Sequence, residues 1–186
     1  LTPNAVNLDP EKANKLLAEA GYPNGEGFPE FKFLTTDRAA GRRNAEAFQA
    51  MWKNHLNINI SIEQREWSTN LQRQYESDYD ICAGGWIGDY LDPTTFLEMW
   101  IKDGGNNNTG WSSTAYEGKL REAENTADPK RRLEILAEGE QILLDDLPVS
   151  PDYWYTTNYL LRPEVEGWDP LLLNTHPFKF VRLKKN

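Results

Sequence analysis

Residues 57–67 read NINISIEQREW, and the first six positions decide the fold. Ile58, Ile60 and Ile62 fall on one side of an extended chain and Asn57, Asn59 and Ser61 on the other, the two-residue period of a half-buried strand. Just upstream, Ala45, Phe48, Trp52 and Leu56 recur at helical spacing over 42–56. Before them Phe31, Phe33 and Thr35 alternate with polar neighbours. Strand, helix and strand make a βαβ unit, which predicts parallel pairing of the two strands.

Downstream the pattern repeats. Ser68 stands where it would cap a shorter helix carrying Leu71 and Tyr75, and a strand follows through Tyr79, Ile81 and Ala83. Three Asp-Pro pairs mark helix starts, because Asp accepts free amides and Pro tolerates the first helical position. Asp9-Pro10 opens a helix with Ala13, Leu16, Leu17 and Ala20 on one face, ended by Gly21 and Pro23. Asp92-Pro93 opens a short one through Phe96, Leu97 and Trp100. Asp128-Pro129 opens a long one with Leu133, Leu136, Ala137, Ile142 and Leu143, preceded by a helix over 115–125. From Val149 the pattern returns to β, with strands predicted in VSPDYWY (149–155), YLL (159–161) and FKFVRL (178–183). The fold class is α/β, a mixed sheet flanked by helices, with no internal repeat.

A length of 186 residues suits one domain with a core of its own. The formal charge of −9 opposes a phosphate backbone, so nucleic acid is not an expected partner. Cys82 is the only cysteine and His55 and His176 the only histidines, which leaves no disulfide, no structural zinc pattern and no expected cofactor. No apolar run reaches the length of a membrane span, and Leu1-Thr2-Pro3-Asn4 has no signal-peptide character. The chain starts without methionine, as a processed product or excised fragment would. Aromatics are 12% of residues, with seven tryptophans, more than a core of this size needs, so some are expected to face a ligand or a neighbour.

The strand through Ile81 runs into GGWIGDYLDP, residues 84–93. Ligands of open α/β sheets bind outside the carboxyl ends of strands, which makes this stretch a candidate site. GGWIG has neither the third glycine of a dinucleotide loop nor the Gly-Lys-Ser/Thr of a P-loop. DGGNNNTG, 103–110, lacks the alternating oxygen ligands and terminal Glu of a calcium loop. No nucleophile elbow is present. Asp89 and Asp92 could form a glycosidase pair, but Asp92 before Pro93 is better explained as a cap. Asp89 has no helix to cap, and pattern alone leaves it either a solvated loop residue or a ligand anchor.

The residues DPEKANKLLAEAGYPNG (9–25), NINISIEQREW (57–67), YDICAGGWIGDYLDPTTFL (79–97), GNNNTGW (105–111), ADPKRRLEILAEGEQILLDDLPVSPDYWY (127–155) and GWDPLLLNTHPFKFVRL (167–183) together resemble the C-terminal lobe of the extracytoplasmic oligopeptide- and dipeptide-binding proteins of ABC importers, solute-binding family 5. The resemblance implies one lobe of a type II periplasmic-binding-protein-like fold, residues 1–168. It implies a tail over 169–186, exposed or swapped, that returns to a missing N-terminal lobe. It further implies a non-enzymatic receptor, periplasmic or lipid-anchored, that closes on a peptide between its lobes and delivers it to the permease, with no membrane insertion by this chain.

On the same resemblance, Gly85 and Ile87 pair through their backbones with an extended peptide, Trp86 and Tyr90 line the pocket, and Asp89 receives the peptide's α-ammonium. Trp168 faces the cleft and the asparagines at 106–108 lie near its rim. Ala83 stands where some oligopeptide-binding members have an arginine for the peptide carboxylate, which leaves the preferred peptide length open. Alternatives are a nickel, haem or oligosaccharide ligand within the family, or a carbohydrate-binding or glycoside-hydrolysing domain outside it.

Overall fold

The computed structural model describes residues 7–169, 171 and 173–184. Its backbone contacts gather into two compact units: one runs to Gly85 and takes in Gly105–Trp111, and the other comprises Trp86–Gly104 and the chain from Ser112.

In the first unit, strands β1 (Phe31–Thr36), β2 (Ile60–Arg65) and β3 (Ile81–Cys82) form a parallel sheet in the order β2-β1-β3. Helices α2 (Ala39–Leu56) and α3 (Trp67–Tyr75) make the two crossovers, and α1 (Pro10–Glu19) packs against α2. Strand β1 is covered on both edges, so Phe33, Leu34 and Thr35 are buried in succession, the near-continuous burial of a central parallel strand. Leu17, Phe33, Ala45, Ile58 and Ile60 make the core, with Phe48, Trp52, Leu56 and Ile62 packed against it. The isoleucine alternation therefore does what it predicts, although regular pairing begins at Ile60, opposite Phe31.

Helix α2 ends with Asn57 in the left-handed conformation, and the side-chain amide of Asn57 donates to the Asn24 carbonyl at 3.0 Å. The turn Pro23–Gly25 is pressed against this terminus: Gly25 has φ +72°, and a Cβ there would lie 2.5 Å from the Leu56 carbonyl oxygen. Only glycine fits both the backbone and the space.

In the second unit, α5 (Thr114–Glu124) packs against α6 (Pro129–Asp146), and α4 (Thr94–Leu97) continues into a 3-10 turn, Glu98–Trp100. Tyr116, Ala123, Ile135, Leu136 and Leu143 are buried here along with Leu97. The Tyr116 hydroxyl donates to the Leu97 carbonyl at 2.6 Å. A short antiparallel pair, β4 (Val165–Glu166) with β5 (Arg182–Leu183), closes the element order.

Two of the Asp-Pro starts behave as read. Asp9 accepts from the Lys12 amide at 2.9 Å and Asp128 from the Arg131 amide at 2.7 Å, each as the cap. At the third start α4 begins one residue later than expected, with Pro93 in the cap position and Asp92 ahead of it accepting from the Thr94 amide at 3.0 Å. Other expectations need correction. Glu66, not Ser68, caps α3: the helix starts two residues earlier than a Ser68 cap implies, and the Glu66 carboxylate reaches forward to accept from the Ser68 amide and hydroxyl. Leu16 and Leu133, expected on the apolar faces of α1 and α6, are more than half exposed, while Leu17 of the expected α1 face and Ile135, outside the expected α6 face, are buried.

The strands expected at 149–155 and 159–161 do not form, and in FKFVRL only Arg182–Leu183 pairs while Phe178–Phe180 makes a 3-10 turn. β propensity yields a strand only where a neighbour accepts the ladder, and among the described residues 149–161 has none. Every residue of 150–163 is exposed. Of the predicted tail, Pro170, Leu172, Lys185 and Asn186 lie outside the described residues, as does the N-terminal Leu1-Thr2-Pro3-Asn4.

Candidate functional site

The chain leaves the sheet at β3. The Ala83 amide still donates to the Leu34 carbonyl at 2.9 Å, but among the described residues the backbone groups of Gly84, Gly85, Trp86 and Ile87 make no hydrogen bond. An extended run of free donors and acceptors at the carboxyl end of a parallel strand is a template for an added strand. Ile87 is 74% exposed and Trp86 half-buried, with its indole N–H buried and unpartnered.

The two aspartates of the loop have separate environments. Asp92 is gripped by Arg132 from α6, with Nη1 2.6 Å from Oδ2 and Nη2 2.9 Å from Oδ1. Thr94 adds its amide and its hydroxyl to Oδ1. The Arg132 guanidinium, helped by Thr94, holds the Asp92 carboxyl well below the usual carboxylate range. A glycosidase acid needs the opposite shift, so Asp92 does not fill that role. Asp89 is exposed, and its carboxylate has no partner among the described residues; only its amide is engaged, donating to the Thr95 hydroxyl at 2.9 Å. Tyr90 lies beside it with its hydroxyl donating to Glu98 at 2.9 Å.

Trp168 stands apart from this loop in its ring contacts. It stacks on His176 with centroids 4.1 Å apart and 13° between planes, and meets Tyr159 and Phe178. The asparagine loop is held by polar groups of its own unit: Asn107 accepts the Thr109 amide and hydroxyl and donates to Trp111, while the Tyr79 and Ser77 hydroxyls donate to the Asn108 carbonyl. Burial pushes the Tyr79 hydroxyl up to about 12 and the Cys82 thiol upward as well, so Cys82 is no reactive thiolate.

Sequence reasoning passed over three residues. Thr95 and Arg132 orient the loop, yet Arg132 lies 40 residues from Asp92 with no pattern linking them. The third is Trp67. It is 48% exposed where β2 gives way to α3, with the Arg38 guanidinium 5.6 Å from its ring centroid. Its position at a strand's carboxyl end was the available signal.

Residues 1–108 match the family model described as bacterial extracellular solute-binding proteins, family 5 Middle. The oligopeptide-binding protein OppA of Bacillus subtilis is 33% identical over 165 residues, covering 88% of this chain and 30% of its own length. Among solved structures, a periplasmic oligopeptide-binding protein (OppAIV) from Borrelia burgdorferi superposes with a TM-score of 0.85 at 34% identity, covering 98% of this chain and 38% of that one. Haemophilus influenzae OppA, solved in complex with RPPGFSPFR, superposes with a TM-score of 0.83 at 27% identity, covering 95% and 35%. The chain thus spans about a third of the length of these relatives.

Proposed function

The chain belongs to the bacterial extracellular solute-binding proteins of family 5, and on that premise we propose that it is the ligand-binding lobe, residues 1–168, of a two-lobed peptide receptor serving an ABC importer. Residues 169–186 return to the other lobe. The receptor is non-enzymatic and works outside the cytoplasm, in the periplasm or anchored by lipid at the cell surface. Among the described residues no helix is long and apolar enough to cross a membrane.

One observation carries this reading: the Asp89 carboxylate is left unpaired beside the unpaired backbone of Gly84–Ile87, while Asp92 three residues on is fully engaged. An extended peptide pairs with the main chain of Gly85 and Ile87, which provides affinity independent of its sequence, and its ammonium meets Asp89, which sets register. Trp86 and Tyr90 flank that contact, and Trp168 contributes an aromatic face. The OppA complex with RPPGFSPFR supports oligopeptides as the ligand class.

Calorimetry on the full-length receptor tests the assignment. Asp89→Ala weakens binding of a peptide with a free amino terminus by roughly 2–5 kcal/mol, the range for removing one partner of a buried charge pair. An unchanged dissociation constant refutes the anchor. Mass spectrometry of ligands that co-purify with the receptor separates peptides from nickel, haem or oligosaccharide.

A further inference from the structure

The loop that presents Asp89 is fastened by groups other than that carboxylate. On one side Asp92 is tied to Arg132 and Thr94. On the other, the Asp89 amide donates to Thr95 Oγ1 at 2.9 Å, and Thr95 is itself buried in the first turn of α4. The loop comes in so close that a Cβ on Gly88 would lie 3.1 Å from Thr95 Cγ2 and 3.3 Å from Phe96 Cζ. This approach brings the amide of Asp89 onto the threonine hydroxyl.

We propose that Thr95 is a positioning residue for ligand binding: its hydroxyl, by accepting the Asp89 amide, sets the backbone from which the Asp89 carboxylate is offered to a peptide ammonium. The inference rests on the anchor role given to Asp89 above. A part-buried amide requires an acceptor, and without the threonine oxygen it turns toward another acceptor or water. A charge-assisted hydrogen bond is short and directional, so a carboxylate carried by a turned backbone loses it.

The test uses the full-length receptor and one peptide in two forms, with a free amino terminus and N-acetylated, titrated into wild type, Thr95→Val and Thr95→Ser. Wild type prefers the free amine. Thr95→Val, which keeps the shape and removes the acceptor, weakens the free-amine peptide about tenfold and leaves the acetylated one unchanged. Thr95→Ser keeps the preference. Should Thr95→Val not fold, Gly88→Ala lifts the same loop with Thr95 intact and is expected to erode the preference likewise. Equal weakening of both peptides, or a preference untouched by Thr95→Val (or by Gly88→Ala in its place), overturns the role of Thr95 alone. A wild type blind to acetylation overturns the anchor reading and this inference with it.

Discussion

Arg132 on α6 and Asp92 at the start of α4 form a two-pronged ion pair, 2.6 and 2.9 Å, across 40 residues of sequence. The pair ties the loop that carries Asp89 to α6 and engages both oxygens of the Asp92 carboxylate. Its side chains are about 30% exposed, so solvent screens part of its strength.

Replacing Arg132 with Met therefore lowers stability by about 1–2 kcal/mol at neutral pH, read from urea denaturation. The Asp92 carboxyl is held low in the folded chain, so its contribution is complete above the unfolded value of about 4 and fades as the pH falls below it. The gap between wild type and Arg132→Met should be constant near neutrality and shrink in acid. A gap that does not depend on pH would mean that charge pairing is not its source.

Tyr116 provides the alkaline counterpart. Burial, assisted by Glu140, raises its phenol above the ordinary value, so the folded chain keeps a proton that the unfolded chain releases above about pH 10. Stability falls as the pH rises through that range, and Tyr116→Phe should remove this part of the fall. At neutral pH the variant costs about 1–2 kcal/mol through the lost bond to the Leu97 carbonyl. Thermal melts from pH 7 to 11 provide both readings.

Gly25 and Gly21 make a matched comparison. Both have positive φ, +72° and +94°, but a Cβ at Gly25 runs into the end of α2 whereas one at Gly21 meets open space. Gly21→Ala should cost about 1–2 kcal/mol from backbone strain and Gly25→Ala distinctly more, above about 2 kcal/mol. Equal midpoints in denaturant would show that the turn moves freely off the helix.

The exposed aromatic stretch at 150–163 predicts a protease pattern. Trp154 is 83% exposed and Tyr155 67%. Chymotrypsin should cut the isolated chain after Tyr153, Trp154, Tyr155 or Tyr159 before it cuts within α5 or α6. If the proposed second lobe covers this segment in the full-length receptor, the same bonds should be cut more slowly there. Equal rates in the two would show that the segment stays bare.

Local chemistry accounts for what was readable in the chain. Ile58, Ile60 and Ile62 announced β2, and the spacing of Ala45, Phe48 and Trp52 announced α2, because period and burial are properties of neighbours in sequence. The Asp-Pro starts were legible for the same reason. The stretch 149–161 was not, since an extended chain becomes a strand only through a partner that its own residues do not name.

The sequence by itself determined the parallel α/β unit, the helix starts and the place of GGWIGDYLDP at a strand's end. Only the tertiary structure decided what holds Asp92, and that the Asp89 carboxylate has no partner among the described residues. Asp89 and Asp92 are the same residue three positions apart in one loop, and what separates their carboxylates is the Arg132 guanidinium from α6 and the Thr94 hydroxyl from α4, both on Asp92. Hydrogen bonds and Coulomb attraction act over a few ångströms, so the character of each carboxylate belongs to whatever the fold brings within that distance.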